Sequence, residues 1–315
     1  MRHVRMLGAF LLAALMMAAV IATSASAERI KKSPSTFKNC PVHATETDEG
    51  EPIGTEPNAF GILCVYGNTE KGDGGQFTVS GITVPLEKSI VLQYGLYENE
   101  AEEEKYLSPL NGVEAITPTP ERVPGEPIAN ISEVEQEEMG WPATLKNKYK
   151  EGQKKGLVKK VYETIEVAGR PQTSRKNLVE RNGTAVEAPV KIKGENKWLS
   201  MLGDVCYIGS EAEPIVQHLT SGVSESPLTH ETIEGELLLG EFLQEKKSEE
   251  LGGLVIVSKL VDNTYPVPGA SCTGPFSGYV AATIDKVFGV PAVAGASITE
   301  LKGSLYNATA KFAES

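Results

Sequence analysis

Few side chains in this sequence could carry out covalent chemistry. After the first 27 residues the histidines are His43, His218 and His230, and a serine or cysteine nucleophile needs such a base beside it. No G-x-S-x-G motif, which places a nucleophilic serine on a sharp turn, accompanies them. His218 and His230 do not have the spacing of the H-E-x-x-H zinc motif. We therefore assign no catalytic residue and interpret the histidines as surface or capping residues.

Carboxylate pairs can hydrolyse glycosidic bonds, but 42 Asp and Glu residues make such pairs inevitable and uninformative. Trp141 and Trp198 are the two tryptophans that could line a sugar-binding cleft. Trp198 follows a predicted strand, a position that fits the core equally well. The sequence contains no glycine-rich phosphate loop followed by a helix, which argues against nucleotide enzymes. We predict no cofactor.

The four cysteines are Cys40, Cys64, Cys206 and Cys272. In an oxidising compartment an even number of cysteines is most simply explained by two disulfides, for which three pairings exist. We favour Cys40–Cys64 and Cys206–Cys272, because each bridge closes a moderate loop and contributes about 3–4 kcal/mol. No two cysteines have the C-x₂₋₄-C spacing of a zinc site. The Gly-Asp-Gly segment at residues 72–74 is too short for an EF-hand loop and fits a hairpin turn, so we predict no metal site.

The first 27 residues have the pattern of a secretory signal peptide. Arg2 and Arg5 precede an apolar run over residues 7–22, and Ala25 and Ala27 form an A-x-A cleavage site. The 16-residue run is shorter than the about 20 residues of a spanning helix. An uncleaved anchor is the alternative interpretation. We expect a secreted or extracellular chain, with the cell envelope as a second location, and no stable membrane anchor.

The mature chain is strongly acidic. Removal of Arg2 and Arg5 with the leader changes the net charge from −12 to −14. Phosphate backbones and anionic lipid repel such a chain, so we expect neither nucleic acid nor a membrane surface as a partner. The partner is otherwise unknown, and a cell-wall component or another extracellular protein fits this charge.

The hydrophobic pattern predicts a mainly β protein, with an antiparallel β-sandwich-like or multi-sheet architecture. Glycine-rich connectors between β-branched runs predict an N-terminal β meander within residues 28–96. A C-terminal β region over residues 161–315 is expected to form one fold with it. Residues 161–167 and 184–193 alternate between apolar and polar side chains, which is typical of half-buried strands. Pro189 predicts an edge position for the second of these strands.

Two segments depart from the β pattern. Residues 97–160 combine acidic blocks, closely spaced prolines and a lysine-rich stretch. Such a composition does not supply a buried face, so we expect a charged, loosely structured insertion. Residues 279–288 predict one short helix near the C-terminus, which ends at Gly289.

Three groups of segments form a recognisable combination. They are residues 75–79 (GQFTV), 83–86 (TVPL) and 90–93 (IVLQ); residues 202–210 (LGDVCYIGS), 214–215 (PI) and 219–222 (LTSG); and residues 289–295 (GVPAVAG) and 301–305 (LKGSL). Together they resemble a family of uncharacterised secreted proteins from soil actinobacteria, over most of the mature chain outside residues 97–160. The resemblance implies a bacterial, secreted protein, and it implies no activity because the family has none assigned. The chain departs from the family at Tyr94, where glycine is expected, and in its enlarged insertion.

Two hypotheses for function follow. The first is an exported, non-enzymatic β-sheet protein that acts as a structural or binding module outside the cell or in its envelope. The second is a secreted hydrolase whose active site is assembled from loops and leaves no local motif. We prefer the first, because the strand pattern and the cysteine count support it and no catalytic constellation is visible.

Overall fold

A computed structural model describes residues 63–88, 91–97, 105–107, 114–116, 120–169, 171–244 and 251–309. These residues form a mainly β, antiparallel, multi-sheet protein, as the hydrophobic pattern predicts. The strands are β1 (Leu63–Thr69), β2 (Gly75–Val79), β3 (Ile82–Pro85), β4 (Val91–Tyr97), β5 (Lys105–Leu107), β6 (Glu114–Ile116), β7 (Glu121–Arg122), β8 (Val161–Val167), β9 (Gln172–Thr173), β10 (Val186–Asn196), β11 (Val205–Ile208), β12 (Ile215–Leu219), β13 (Val223–Glu225), β14 (Thr232–Glu234), β15 (Glu236–Gln244), β16 (Leu251–Asp262), β17 (Ala270–Thr273) and β18 (Ile298–Thr309). The helices are α1 (Glu133–Glu138), α2 (Ala143–Lys154), α3 (Arg175–Glu180), α4 (Lys197–Leu202) and α5 (Ser277–Phe288).

The larger sheet joins the two ends of the described chain. Its strand order is β15-β16-β18-β1-β4-β5, with β2, β3 and β6 attached beside this path. The long strand β18 pairs with β1 over one half of its length and with β2 over the other half. Gly303 lies where β1 approaches closely, since a Cβ atom there would stand 2.1 Å from the carbonyl oxygen of Asn68.

The predicted N-terminal meander is therefore correct in its strands but not in all of its pairings. The β2–β3 hairpin forms as expected. Strand β1, however, pairs with β18 and β4 and does not pair with β2. The reason is that β18 is a long strand with which β1 can pair. A pairing between segments so far apart in the chain leaves no pattern in the local sequence.

The smaller sheet has the order β17-β11-β10-β8-β7, and β9 and β12 also pair with β10. Strand β10 is central, so the edge position that Pro189 predicts is wrong. Pro189 lies where β10 passes from β9 to β8, and its carbonyl accepts a hydrogen bond from the Ala168 N–H. Its missing N–H costs no ladder hydrogen bond, because Pro189 lies between the Glu187–Gln172 pair of β9 and the Val190–Val167 pair of β8.

The main core lies between the smaller sheet, the β2–β3 hairpin and helices α2, α4 and α5. Trp198 of α4 is fully buried and stacks on Trp141, with 5.9 Å between ring centroids. Tyr149 of α2 meets both indoles edge-on. Aromatic groups of this size contribute much of the free energy of burial in a core.

We call residues 120–160 the helical cover, and this part of the segment 97–160 is packed, contrary to the expectation of a loosely structured insertion. Residues 98–104, 108–113 and 117–119 of that segment lie outside the described residues. Ser132 caps α1 in a reciprocal capping box with Glu135. Helix α2 then buries Leu145, Tyr149 and Gly152 along one face. The charged residues of α1 and α2 lie outside the buried faces of these helices, so a high charge content did not prevent packing.

The helix predicted near the C-terminus is confirmed. Helix α5 covers Ser277–Phe288 and ends at Gly289, which adopts the left-handed conformation with φ 65°. Its buried residues Val280, Ile284 and Phe288 recur at helical spacing and face the smaller sheet's core.

Candidate functional site

The histidines do not assemble a hydrolase site within the described part of the chain. His218 Nε2 lies 3.9 Å from Glu187 Oε2, and His230 Nδ1 lies 3.0 Å from Glu225 Oε1. Both rings are exposed, and among the described residues neither ring hydrogen-bonds to a serine, threonine or cysteine side chain. His43 lies outside the described residues.

The possible metal ligands are likewise dispersed among the described residues. Within the described ranges, no group of three or more His, Cys, Asp and Glu side chains could hold a metal ion. Asp73, in the turn considered for calcium, instead forms an ion pair with Lys302 at 3.0 Å. In the part of the chain that the structure describes, no helix is both long and apolar enough to cross a membrane.

The predicted Cys206–Cys272 disulfide is confirmed. The two residues are direct partners in the β11–β17 register, and their sulfurs are bonded. Cys64 is buried on β1 and also takes part in a disulfide. Cys40 lies outside the described residues, so the Cys40–Cys64 pairing stays a prediction.

Neither tryptophan is available as a sugar platform. Trp141 and Trp198 are 4 % and 0 % exposed, and both belong to the aromatic core. The Trp141 Nε1–H donates to Thr283 Oγ1 at 3.2 Å, which ties the helical cover to α5. The core interpretation therefore holds for both residues.

One row of residues across the smaller sheet combines features that the sequence did not reveal. Strand register places Glu121 opposite Glu163, Glu163 opposite Gly194, Gly194 opposite Cys206, and Cys206 opposite Cys272. Residues opposite one another in antiparallel strands project from the same face of the sheet. The row thus contains, in order, two carboxyl groups, one glycine without a side chain and one disulfide, and it lies beneath the helices.

The two acids of this row, which we call the acid pair, are buried without a cation. Glu121 and Glu163 are 4 % and 6 % exposed, and neither forms an ion pair with any described residue. Glu121 Oε1 accepts a hydrogen bond from the Lys88 backbone N–H at 2.5 Å. Glu163 Oε1 is buried and has no hydrogen-bond partner among the described residues. Buried polar atoms without partners are rare in native proteins, so this one requires an explanation.

The position of Gly194 leaves space beside the acid pair. An added Cβ atom there would have a single neighbour within 4 Å, the carbonyl oxygen of Cys206 at 3.9 Å. A cavity of about 40 Å³ opens at this point, between Glu163 and Gly194 of the sheet and Trp198 and Phe288 of the helices. Its walls are almost wholly apolar. Among the described residues, Trp198 Nε1 of the same lining is a second buried polar atom without a hydrogen-bond partner.

The electrostatics of the acid pair favour a bound proton. Burial, followed by the negative charge of Glu121, raises the pKa of Glu163 to about 8. At neutral pH the Glu163 carboxyl is therefore largely protonated. The arrangement can hold a proton at a buried position and release it in mildly alkaline solution.

A signal for Glu163 was present in the sequence. In the alternating strand β8, Glu163 occupies the same phase as Val161 and Ile165, which places a carboxyl group on the apolar face. Its partner Glu121 lies on a strand of two residues between prolines and charges, which no periodicity identifies.

Comparison of the chain with protein-family models, curated proteins and solved structures gives no match.

Proposed function

We propose that the chain is an exported, non-enzymatic β-sheet module that acts outside the cell or in the cell envelope. The observation that carries the proposal is the disulfide between Cys206 and Cys272, which clamps adjacent strands of the smaller sheet. Structural disulfides persist in oxidising compartments and are rare in the cytosol. The leader pattern of residues 1–27 and the resemblance to secreted actinobacterial proteins support the same location.

The proposed role is structural or binding, with a cell-wall component or another extracellular protein as the partner. The mature chain has a net charge of −14, which disfavours polyanionic partners. The exposed histidines pair with glutamates, as surface residues do. The described tryptophans and the acid pair contribute to the interior and present no groove for a polymer.

Export is tested by producing the full chain, with its leader, in a secreting bacterial host. We expect mature protein in the medium with Glu28 at its N-terminus, and non-reducing peptide mapping should join Cys206 to Cys272 and Cys40 to Cys64. An A27R variant, which disrupts the A-x-A site, is the matched control and should retain its leader. Protein that stays in the cytosol with titratable thiols would contradict the proposal.

The binding role is tested separately, with the purified mature chain on insoluble cell walls and on a glycan array. Retention on cell walls without release of soluble fragments supports a binding module. Release of soluble sugars or peptides would favour the hydrolase hypothesis in its place.

A further inference from the structure

The acid pair lies at a short strand pair, one of several contacts between the helical cover and the rest of the fold. Glu121 belongs to β7, at the beginning of the helical cover, whereas Glu163 belongs to β8 of the smaller sheet. The β7–β8 pairing extends over two residues on each strand. The Val123 N–H adds one hydrogen bond to the Val161 carbonyl, at 3.0 Å. A local opening at β7 breaks these pairings and uncovers Val123, which is buried in the closed form.

The cavity lies directly behind this attachment. Val123, the residue after β7, forms part of its wall together with Trp198 and Glu163. If β7 moves away from β8, the cavity opens to bulk water, which then reaches the Trp198 indole. The Trp141 contact with Thr283 on α5 lies in a different part of the helical cover. Opening at β7 does not require that contact to break.

Among the described residues, no cationic side chain forms an ion pair with Glu163. Strand β7 contributes the carboxyl group of Glu121, and β10 contributes Gly194, which has no side chain. Among the residues that line the cavity, Glu163 is the one acid and no base is present. Lys88 gives Glu121 its backbone N–H, while its ammonium group donates to the Pro120 carbonyl. The negative charge of Glu163 also contributes to the raised pKa of Tyr265, although burial is the main cause.

We propose that the acid pair is a pH-sensitive latch: loss of the proton from Glu163 releases β7 from β8 and admits water to the cavity beside Trp198. In the closed form the neutral Glu163 carboxyl tolerates its apolar surroundings. Once ionised, it becomes a buried negative charge beside Glu121, without a cation or a hydrogen-bond donor to Oε1. Hydration through a local opening relieves both the desolvation and the like-charge repulsion.

The direction of the switch follows from the same causes. Burial and Glu121 raise the pKa of Glu163 to about 8, so the latch is closed in acidic and neutral solution and opens in mildly alkaline solution. This inference goes beyond the proposed function, because the latch would operate whether the module binds cell walls or another protein. An exported protein meets the pH of its surroundings directly, without cytosolic buffering.

The test uses the two tryptophans, which are both buried in the core: Trp141 belongs to the helical cover and Trp198 lines the cavity. Tryptophan emission and acrylamide quenching of the mature protein are measured from about pH 6 to about pH 10. We expect a red shift with a midpoint near the Glu163 pKa, and a quenching constant that rises roughly twofold. Far-UV circular dichroism should stay constant across the same transition, because the opening is local.

Two variants decide the assignment. E163Q removes the titrating group and should abolish the transition. E166Q, on the same strand but near Lys191 and partly exposed, should retain it. The proposal is overturned if the wild type shows no transition, if E163Q retains it, or if the circular dichroism signal collapses with the fluorescence change.

Discussion

Two clusters of buried polar side chains differ in whether their atoms have partners. The first, which we call the Asp262 network, links β12, β16 and β18. Asp262 is fully buried; one carboxyl oxygen accepts from the His218 backbone N–H, and the other accepts from the N–H and hydroxyl of Thr264. Nearby, Thr299 Oγ1 contacts the Tyr265 hydroxyl at 2.7 Å and the Gln217 amide at 2.9 Å.

The second cluster is the acid pair. It has similar burial but lacks equivalent partners, because Glu163 Oε1 receives no hydrogen bond and an apolar cavity lies beside it. The Asp262 network stabilises the fold by satisfying each donor that it faces. The acid pair opposes folding whenever Glu163 is charged. Two clusters of similar burial therefore affect stability in opposite directions. Of the two, only the acid pair makes the free energy of unfolding change with pH in mildly alkaline solution.

The largest expected effect tests the first half of this comparison. Replacing Asp262 with alanine removes the acceptor of the partly buried backbone N–H groups of His218 and Thr264. We expect a loss of about 3–5 kcal/mol in the free energy of unfolding, measured by urea denaturation at neutral pH.

Asp73→Ala is the control for this substitution, because its carboxylate forms an exposed ion pair with Lys302. That variant should change stability far less, since exposed pairs are screened by water. Equal losses in the two variants would mean that Asp262 is not a structural centre, and the comparison would fail.

The second prediction concerns the sign of the Glu163 contribution. Its pKa is raised from 4.5 in the unfolded chain to about 8 in the native protein, so the native state binds more protons between these values. The free energy of unfolding of the wild type should fall as pH rises through that window, by about 1.4 kcal/mol per pH unit.

Glu163→Gln should remove this slope and stabilise the protein at pH 8 by about 2 kcal/mol, because the buried amide offsets part of the gain. Denaturation at several pH values measures the effect, with Glu166→Gln as the variant that keeps the wild-type slope. A destabilised Glu163→Gln protein at pH 8 would show that the carboxyl has a partner and resembles Asp262.

The sequence predicted local elements better than long-range contacts. Alternation identified β8 and most of β10, and Gly289 marked the end of α5. Helix α2 was missed because lysines and glutamates dominate its composition, although Leu145 and Tyr149 stand four residues apart on one face. A buried face of few residues is sufficient when those residues are large.

The candidate site could not be predicted from local sequence patterns, for a different reason. The acid pair exists only because the chain brings Glu121 beside Glu163, and the cavity exists only because Gly194 lies next in the row. The Cys206–Cys272 bridge was predictable because cysteines are few and their chemistry is specific. Forty-two acidic residues carry no such constraint, so register rather than composition identifies the pair that matters.

The smallest expected effect sharpens the comparison at Gly194. Replacing this glycine with alanine adds a methyl group at the cavity, where the Cys206 carbonyl oxygen at 3.9 Å is the nearest contact. We expect a gain of about 0.5–1 kcal/mol, because alanine lowers the entropy of the unfolded chain and fills part of the void. Gly303→Ala is the matched control in a strand, since its Cβ atom would stand 2.1 Å from the Asn68 carbonyl oxygen and must destabilise. Thermal denaturation at pH 6, where Glu163 is protonated, separates the packing effect from titration. If Gly194→Ala destabilises as Gly303→Ala does, no space exists beside Glu163, and the missing partner of the carboxyl must be explained without a cavity.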